Sequence, residues 1–120
     1  MLPAANRLRT SGDFARTVRH GRRSGNSLLV VYFLEDNEHS EADLCTKVGF
    51  IVGKKVGNSV VRHTLSRKLR HLVRNMLAGI KPGIVVVRAN PDAATASSPE
   101  LHTALTRALS HTHAWSEESR

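Results

Sequence analysis

Residues 54–74 read KKVGNSVVRHTLSRKLRHLVR. Seven of these twenty-one residues are Lys or Arg, two more are His, and none is Asp or Glu. The stretch opens on a basic turn in which Gly57 is free to take positive φ. Asn58 or Ser59 is placed to cap the helix that follows. From Val61 the apolar positions run through Leu65, Leu69, Leu72, Val73 and Met76, a stripe at helical spacing. At about 100° per residue, His63, Arg67, Arg70 and Arg74 form a second stripe nearly opposite, with Arg62 and Lys68 on its flanks. Helices that carry Lys and Arg for solubility usually interleave Glu, so that charges pair along the face. Here the like charges stand together, mildly destabilising in isolation and tolerable where a polyanion supplies the missing negative charge.

Upstream of this helix, residues 1–10 carry Arg7 and Arg9 without periodicity and read as an extended basic arm. Ser11 is placed to cap a short helix, with Asp13 in its first turn, where a carboxylate complements the helix dipole. Phe14 and Val18, four apart, share that helix's apolar side, Arg16 and Arg19 point elsewhere, and Gly21 is a stop. Residues 22–26 (RRSGN) read as a basic, turn-rich link. Leu28 to Leu34 (LLVVYFL) is a continuous apolar run dense in branched and aromatic residues, the pattern of a central strand. A second strand is expected from about Thr46 to Val52, where adjacent apolar Phe50 and Ile51 imply burial on both faces.

Downstream, Gly79 and Pro82 end the long helix, and Gly83 to Arg88 (GIVVVR) predicts a third strand. Ser97 or Ser98 caps a last helix, with Pro99 and Glu100 in its first turn and Leu101, Leu105 and Leu109 on its buried side. The order of helices and strands predicts one α+β or α/β sandwich. One domain is expected over residues 1–110, and residues 111–120, with little to bury except Trp115, form a mobile or loosely docked tail.

The chain's 120 residues suffice for one domain with a real core. Eighteen Lys and Arg against ten Asp and Glu give a net charge of +8. Five of the ten acids (Glu35, Asp36, Glu38, Glu41 and Asp43) fall in one short segment without Lys or Arg, so the rest of the chain carries +13. Such an excess names nucleic acid as the default partner. No apolar run is long enough to span a bilayer, and no signal-type apolar core opens the chain, so a cytoplasmic protein without a membrane partner is expected. One cysteine, Cys45, excludes an internal disulfide and a multi-cysteine zinc site.

The catalytic motifs are missing. There is no Walker-type phosphate loop and no HExxH, and the seven histidines are scattered, with His111-x-His113 lacking a third ligand. The acidic segment reads as a solvated loop, without the apolar surroundings that tune a catalytic carboxylate pair. No catalytic residue, no metal site and no small-molecule substrate is therefore assigned. The binding residues are the cations: arginine's planar fork suits phosphate oxygens and base edges. Phe14 and Tyr32 are candidate platforms for unpaired bases, although aromatics at 4% cannot supply most of the affinity.

The segment KKVGNSVVRHTLSRKLR resembles the signature of the bacterial ribonuclease P protein subunits. That pattern is a Lys-rich turn with Gly, then Arg-Asn-x-x-Lys-Arg-x-x-Arg opening a long helix. The likeness extends to the NRLRTSGDF start, the RHG that closes the first helix, and Tyr32 in the first long strand, covering about residues 5–110. Arg62, Arg67 and Arg70 occupy the signature arginines, whereas His63 stands for the Asn and Ser66 for the Lys. Val18 replaces an aromatic often found one turn after Phe14.

The resemblance implies a compact α-β-β-β-α-β-α fold with a left-handed βαβ crossover, which periodicity alone does not reveal. It also implies a partner to a catalytic RNA subunit that, with Mg²⁺ held mainly by RNA, removes the 5′ leader of precursor tRNA. Lys54, Lys55, Asn58, Arg62, His63, Arg67, Lys68, Arg70 and Arg74 would then meet the catalytic RNA, and Arg9, Phe14, Arg16, Val18 and Tyr32 the single-stranded leader. The alternative is a structural or ribosomal RNA-binding protein with no role in tRNA cleavage. A protein-only nuclease would need a carboxylate cluster in a cleft, and a membrane-surface helix would need bulky aromatics on its apolar face.

Overall fold

The computed structural model describes residues 6–8, 10–35 and 46–114. Of the expectations above, Arg9, Cys45, Trp115 and the acidic segment beyond Glu35 lie outside the described residues.

Helix α1 spans Ser11–His20, and its cap is Thr10, one residue earlier than the sequence suggests, whose hydroxyl accepts from the Asp13 N–H at 3.3 Å. It stops at Gly21, as expected. Strand β1, Arg22–Gly25, corrects the reading of that segment as a link: RRSG has no apolar pattern and becomes a strand by pairing antiparallel with β2, Leu29–Glu35. Strand β3 is Thr46–Ile51, α2 is Ser59–Arg74, β4 is Gly83–Ala89 and α3 is Ser98–His111. A single 3₁₀ turn at Leu77–Gly79 follows α2, which ends at Arg74, short of Gly79. The α-β-β-β-α-β-α order is the one the resemblance implies.

The sheet runs β1-β2-β4-β3, with β2 antiparallel to both neighbours and β3 parallel to β4. Adjacent parallel strands need a crossover, and α2 is that crossover. Alternation sorts β2 and β4 cleanly. Leu29, Val31, Phe33, Val85 and Val87 face a core shared with Leu65, Leu69 and Val73 of α2 and Leu101, Leu105 and Leu109 of α3. Val30, Tyr32, Ile84 and Val86 face the other way, beneath Leu8 and Phe14. Both sheet faces are therefore covered, with Phe50 joining the first core and Ile51 the second, as their adjacency predicts. The arm is tied down as well: the Leu8 N–H donates to the Val48 carbonyl at 3.0 Å along edge strand β3.

Helix α2 holds its shape through this packing. Burying Leu65, Leu69 and Val73 contributes roughly 1.5–3 kcal/mol each, whereas each like-charge pair on the outer stripe costs only a few tenths. Gly57 takes φ 159° in the turn before the helix, and a Cβ there would press on Val61 Cγ1 at 2.8 Å. Helix α3 starts with a capping box, Ser97 accepting from the Glu100 N–H and Glu100 from the Ser97 N–H, which holds the Glu100 carboxyl below its ordinary value.

The packed part continues past residue 110. Thr112 and Ala114 are fully buried, and the Ala114 carbonyl accepts from the Lys81 N–H at 2.7 Å. His113 between them sits at φ 59°, the left-handed cap position where glycine is preferred. Since His113 is exposed, His113→Gly should raise stability by about 0.5–1 kcal/mol. A urea-unfolding midpoint measured against the parent protein checks this.

Candidate nucleic-acid interface

Two surfaces emerge, one on α2 and one beside α1. On α2 the buried side is Leu65, Leu69 and Val73, and the opposite side presents His63, Arg67, His71 and Arg74, all exposed. Arg70 and Lys68 are half-buried on its margins. The Arg70 Nε–H donates to the Ser66 carbonyl at 3.3 Å, which lays the guanidinium along the helix rather than out into solvent. Lys54 and Lys55 are exposed in the turn ahead of the helix. Asn58 is the cap itself: its Oδ1 accepts from the Val61 N–H at 3.0 Å, so the side chain's oxygen is committed to the fold.

Arg62 departs from its predicted place on a flank. It lies seven residues before Leu69, hence on nearly the same side of the helix as the core. The residue is half-buried, and its Nε is shielded from solvent with no hydrogen-bond partner among the described residues. Buried polar atoms are rarely left so. The described residues of α2 include no carboxylate, and the charge of this surface is unrelieved along the helix's four turns.

The second surface is an open groove of about 590 Å³ lined by Ser11, Phe14, Ala15, Val18, Arg19 and Ile51. Phe14 is half-buried, its ring over Gly49 of β3, and Val18 is 38% exposed, a large apolar side chain left facing solvent. Phe14 thus serves both the packing of the second core and the groove wall. Arg16 is brought elsewhere. It turns towards Asp13 at 3.7 Å, an exposed pair worth little to stability, and lines a neighbouring hollow with Gly12 and His20 that meets the groove at Ala15 and Arg19.

Tyr32 is also not an open platform. It is 4% exposed, under α1 and under Arg88, whose guanidinium carbon stands 5.9 Å above the ring centroid. Arg88 is the residue that reading the sequence missed. In the strand GIVVVRA it is the lone charge on the α1 face, two residues beyond Val86. That alternation signals its side of the sheet, but nothing in the sequence says that the ring below it belongs to Tyr32.

A model of the ribonuclease P family, described as "Ribonuclease P", matches residues 2–113. Curated relatives carry the name ribonuclease P protein component. The one from Streptomyces avermitilis is 46% identical over 114 residues, covering 91% of this chain and 93% of that one. The Mycobacterium avium relative is 42% identical over 110 residues, covering 91% and 92%.

The chain belongs to the ribonuclease P protein family.

Solved ribonuclease P proteins share the fold. The Staphylococcus aureus protein superposes with a TM-score of 0.81 at 23% identity, covering 92% of this chain and 98% of its own, and the Thermotoga maritima protein with 0.72 at 22%, covering 83% and 94%. The chain is thus a bacterial ribonuclease P protein subunit, and processing of the tRNA 5′ end is this family's role. Its partner is the RNA subunit of that ribonuclease. No helix among the described residues is long and apolar enough to cross a membrane.

Proposed function

We propose that this ribonuclease P protein works by holding two RNA segments at once, the catalytic RNA on α2 and the single-stranded 5′ leader of precursor tRNA in the groove beside α1. The observation that carries the reading is the separation of the two surfaces. The acid-free stripe lies on the crossover helix over one sheet face, and the aromatic-walled groove lies on the other. The stripe suits the regular phosphate array of a folded RNA, where charge neutralisation and counterion release supply affinity without base readout. The groove suits an unpaired strand, with Phe14 and Val18 offering apolar contact to bases and Arg88 and Arg19 facing phosphates. Tyr32 contributes from beneath by fixing Arg88. Arg16 and the arm, including Arg9, would add charge around the substrate.

The bond-breaking chemistry is assigned to the RNA subunit. The charged groups of both surfaces are guanidinium, ammonium and imidazole, with no carboxylate cluster among the described residues to activate water, and guanidinium and ammonium do not ligate cations. Mg²⁺ held mainly by RNA phosphates supplies the charge stabilisation of phosphodiester hydrolysis when bound. The protein's residues orient the leader relative to the RNA and screen the repulsion between two crowded polyanions. These parts belong to a cytoplasmic ribonucleoprotein.

The test is reconstitution at low Mg²⁺: cleavage of precursor tRNA by the catalytic RNA with and without this chain. Stimulation by roughly tenfold or more is expected. RNA binding without stimulation at any protein concentration would instead make the chain a structural RNA-binding protein.

A further inference from the structure

Helix α2 presents one exposed apolar side chain in the midst of its cations. Among the described residues two large apolar side chains are exposed, Val18 at 38% and Val60 at 72%. Val18 belongs to the groove beside α1. Val60 is the second residue of α2, two after the Asn58 cap. Its neighbour Val61 packs against the first core, whereas Val60 joins neither core. Nine residues, about two and a half turns, separate Val60 from the fully buried Leu69, so the two point in opposite directions. From Val60, the exposed His63, Arg67, His71 and Arg74 follow at spacings of three, four, four and three, which puts Val60 at the head of the cationic stripe itself. Lys54 and Lys55 are exposed in the turn before it. One apolar residue thus stands between two groups of cations, on the side of α2 directed away from the core.

A lone exposed valine is ordinary on a protein surface, but the fold gains nothing from one here. The first turn of a helix favours carboxylates, and β-branched residues rank below Ala, Lys and Glu in helix propensity. Val60 adds neither packing nor charge to a surface otherwise made of cations. Its own chemistry narrows what it can meet. The side chain is short, stiff at χ1 and without a ring, so it cannot stack on a splayed base as an aromatic does. It can rest on a shallow apolar surface. Duplex RNA offers one in its minor groove, which is wide, shallow and bordered by sugars, with a phosphate backbone on either side. Cations before and after Val60 match that arrangement of charge.

We propose that Val60 seats the start of α2 in the minor groove of a helical segment of the RNA subunit, its methyl groups against ribose rings and the flanking cations on the two phosphate backbones. The proposal rests on α2 being the surface that meets the catalytic RNA. It adds a requirement of shape to a contact otherwise made of charge. The stripe alone would accept any dense array of phosphates, whereas an apolar knob among the cations favours a place where sugars are accessible between them. Apolar contact releases no counterions, so this share of the affinity does not follow salt as the arginine share does.

The experiment measures binding of the RNA subunit by the parent protein and by Val60→Ala, Val60→Ser and Val60→Ile over a salt series, with Arg67→Ala alongside. Val60→Ala and Val60→Ser should bind roughly fivefold more weakly at every salt concentration with the log–log slope unchanged, and Val60→Ile should match or exceed the parent. Val60→Ala should unfold at or above the parent's temperature, since Ala is the better helix former, which separates weaker binding from a folding defect. Hydroxyl-radical cleavage, which reports ribose exposure, should show riboses on the two facing strands of one RNA helix protected by the parent and released by Val60→Ala. Unchanged affinity for Val60→Ala and Val60→Ser, or a salt slope that flattens with them, would overturn the proposal. Protection lost at an unpaired nucleotide instead would overturn it too. Failure of the underlying reading is separately visible, because Arg67→Ala would then leave both affinity and slope at the parent's values. A response to Arg67→Ala without one at Val60 sinks the minor-groove contact alone.

Discussion

A triple variant carrying Arg62→Ala, Arg67→Ala and Arg70→Ala should bind the catalytic RNA roughly a hundredfold more weakly at low salt, and its log–log salt slope should be flatter by about two to three. Filter binding over a salt series reads both numbers, and an unchanged slope would move the contact away from α2. The three residues are not equivalent. Arg67 is exposed and free of partners among the described residues, so its loss should cost affinity without touching the fold. Arg70 is half-buried and already donates to Ser66, so its charge is fixed in direction before RNA arrives. Arg62 keeps a buried Nε without a partner, a condition that costs about 1–3 kcal/mol in a folded protein. Replacing Arg62 alone by Met, which keeps the apolar stem, should therefore raise resistance to urea by about 1 kcal/mol while weakening RNA binding about tenfold. Opposite signs for stability and affinity at one position are what a residue kept for its ligand shows. A fall in both would mean that Arg62 serves the core.

Gly49→Ala should damage both the fold and the groove proposed for the leader. A single Cβ at this position would run into the ring of Phe14 and stand 3.0 Å from Leu8 Cδ2. The ring cannot retreat into the sheet, because Val86 beside it in the neighbouring strand is fully buried. It must swing outward, taking the start of α1 with it, at a cost of about 2–4 kcal/mol. The groove would lose its wall at the same time, and affinity for precursor tRNA should fall steeply while binding of the RNA subunit to α2, over the other sheet face, stays near the parent value. Thermal unfolding and the two binding assays together check it. Loss of both affinities in equal measure would show that the two surfaces are not separable.

The long elements were legible because their patterns are redundant. LLVVYFL and GIVVVR read as buried strands from composition alone, and the stripe from Leu65 to Val73 specifies which side of α2 is covered. β1 was not legible, since RRSG carries no apolar residue and exists as a strand only through the partner that β2 offers. The same dependence hid the exposure of Tyr32. Its place in the strand says which face it is on, but its burial depends on where α1 and Arg88 lie across that face. Helical spacing put Arg62 on a flank. Its shielded Nε becomes apparent only when the packing around the start of α2 is known.

The stacking of Arg88 on Tyr32 bears on turnover. A free arginine on a surface explores many rotamers, and ordering it on a ligand costs on the order of 1–2 kcal/mol in entropy each time. Arg88 is steered by an aromatic face that is itself immobile in the core, so that ordering is completed once, when the chain folds. With the leader in the groove as proposed, each precursor that arrives would meet a charge already in position. A subunit that must let go of each matured tRNA gains more from a modest contact that is ready beforehand than from a tighter one assembled around each substrate.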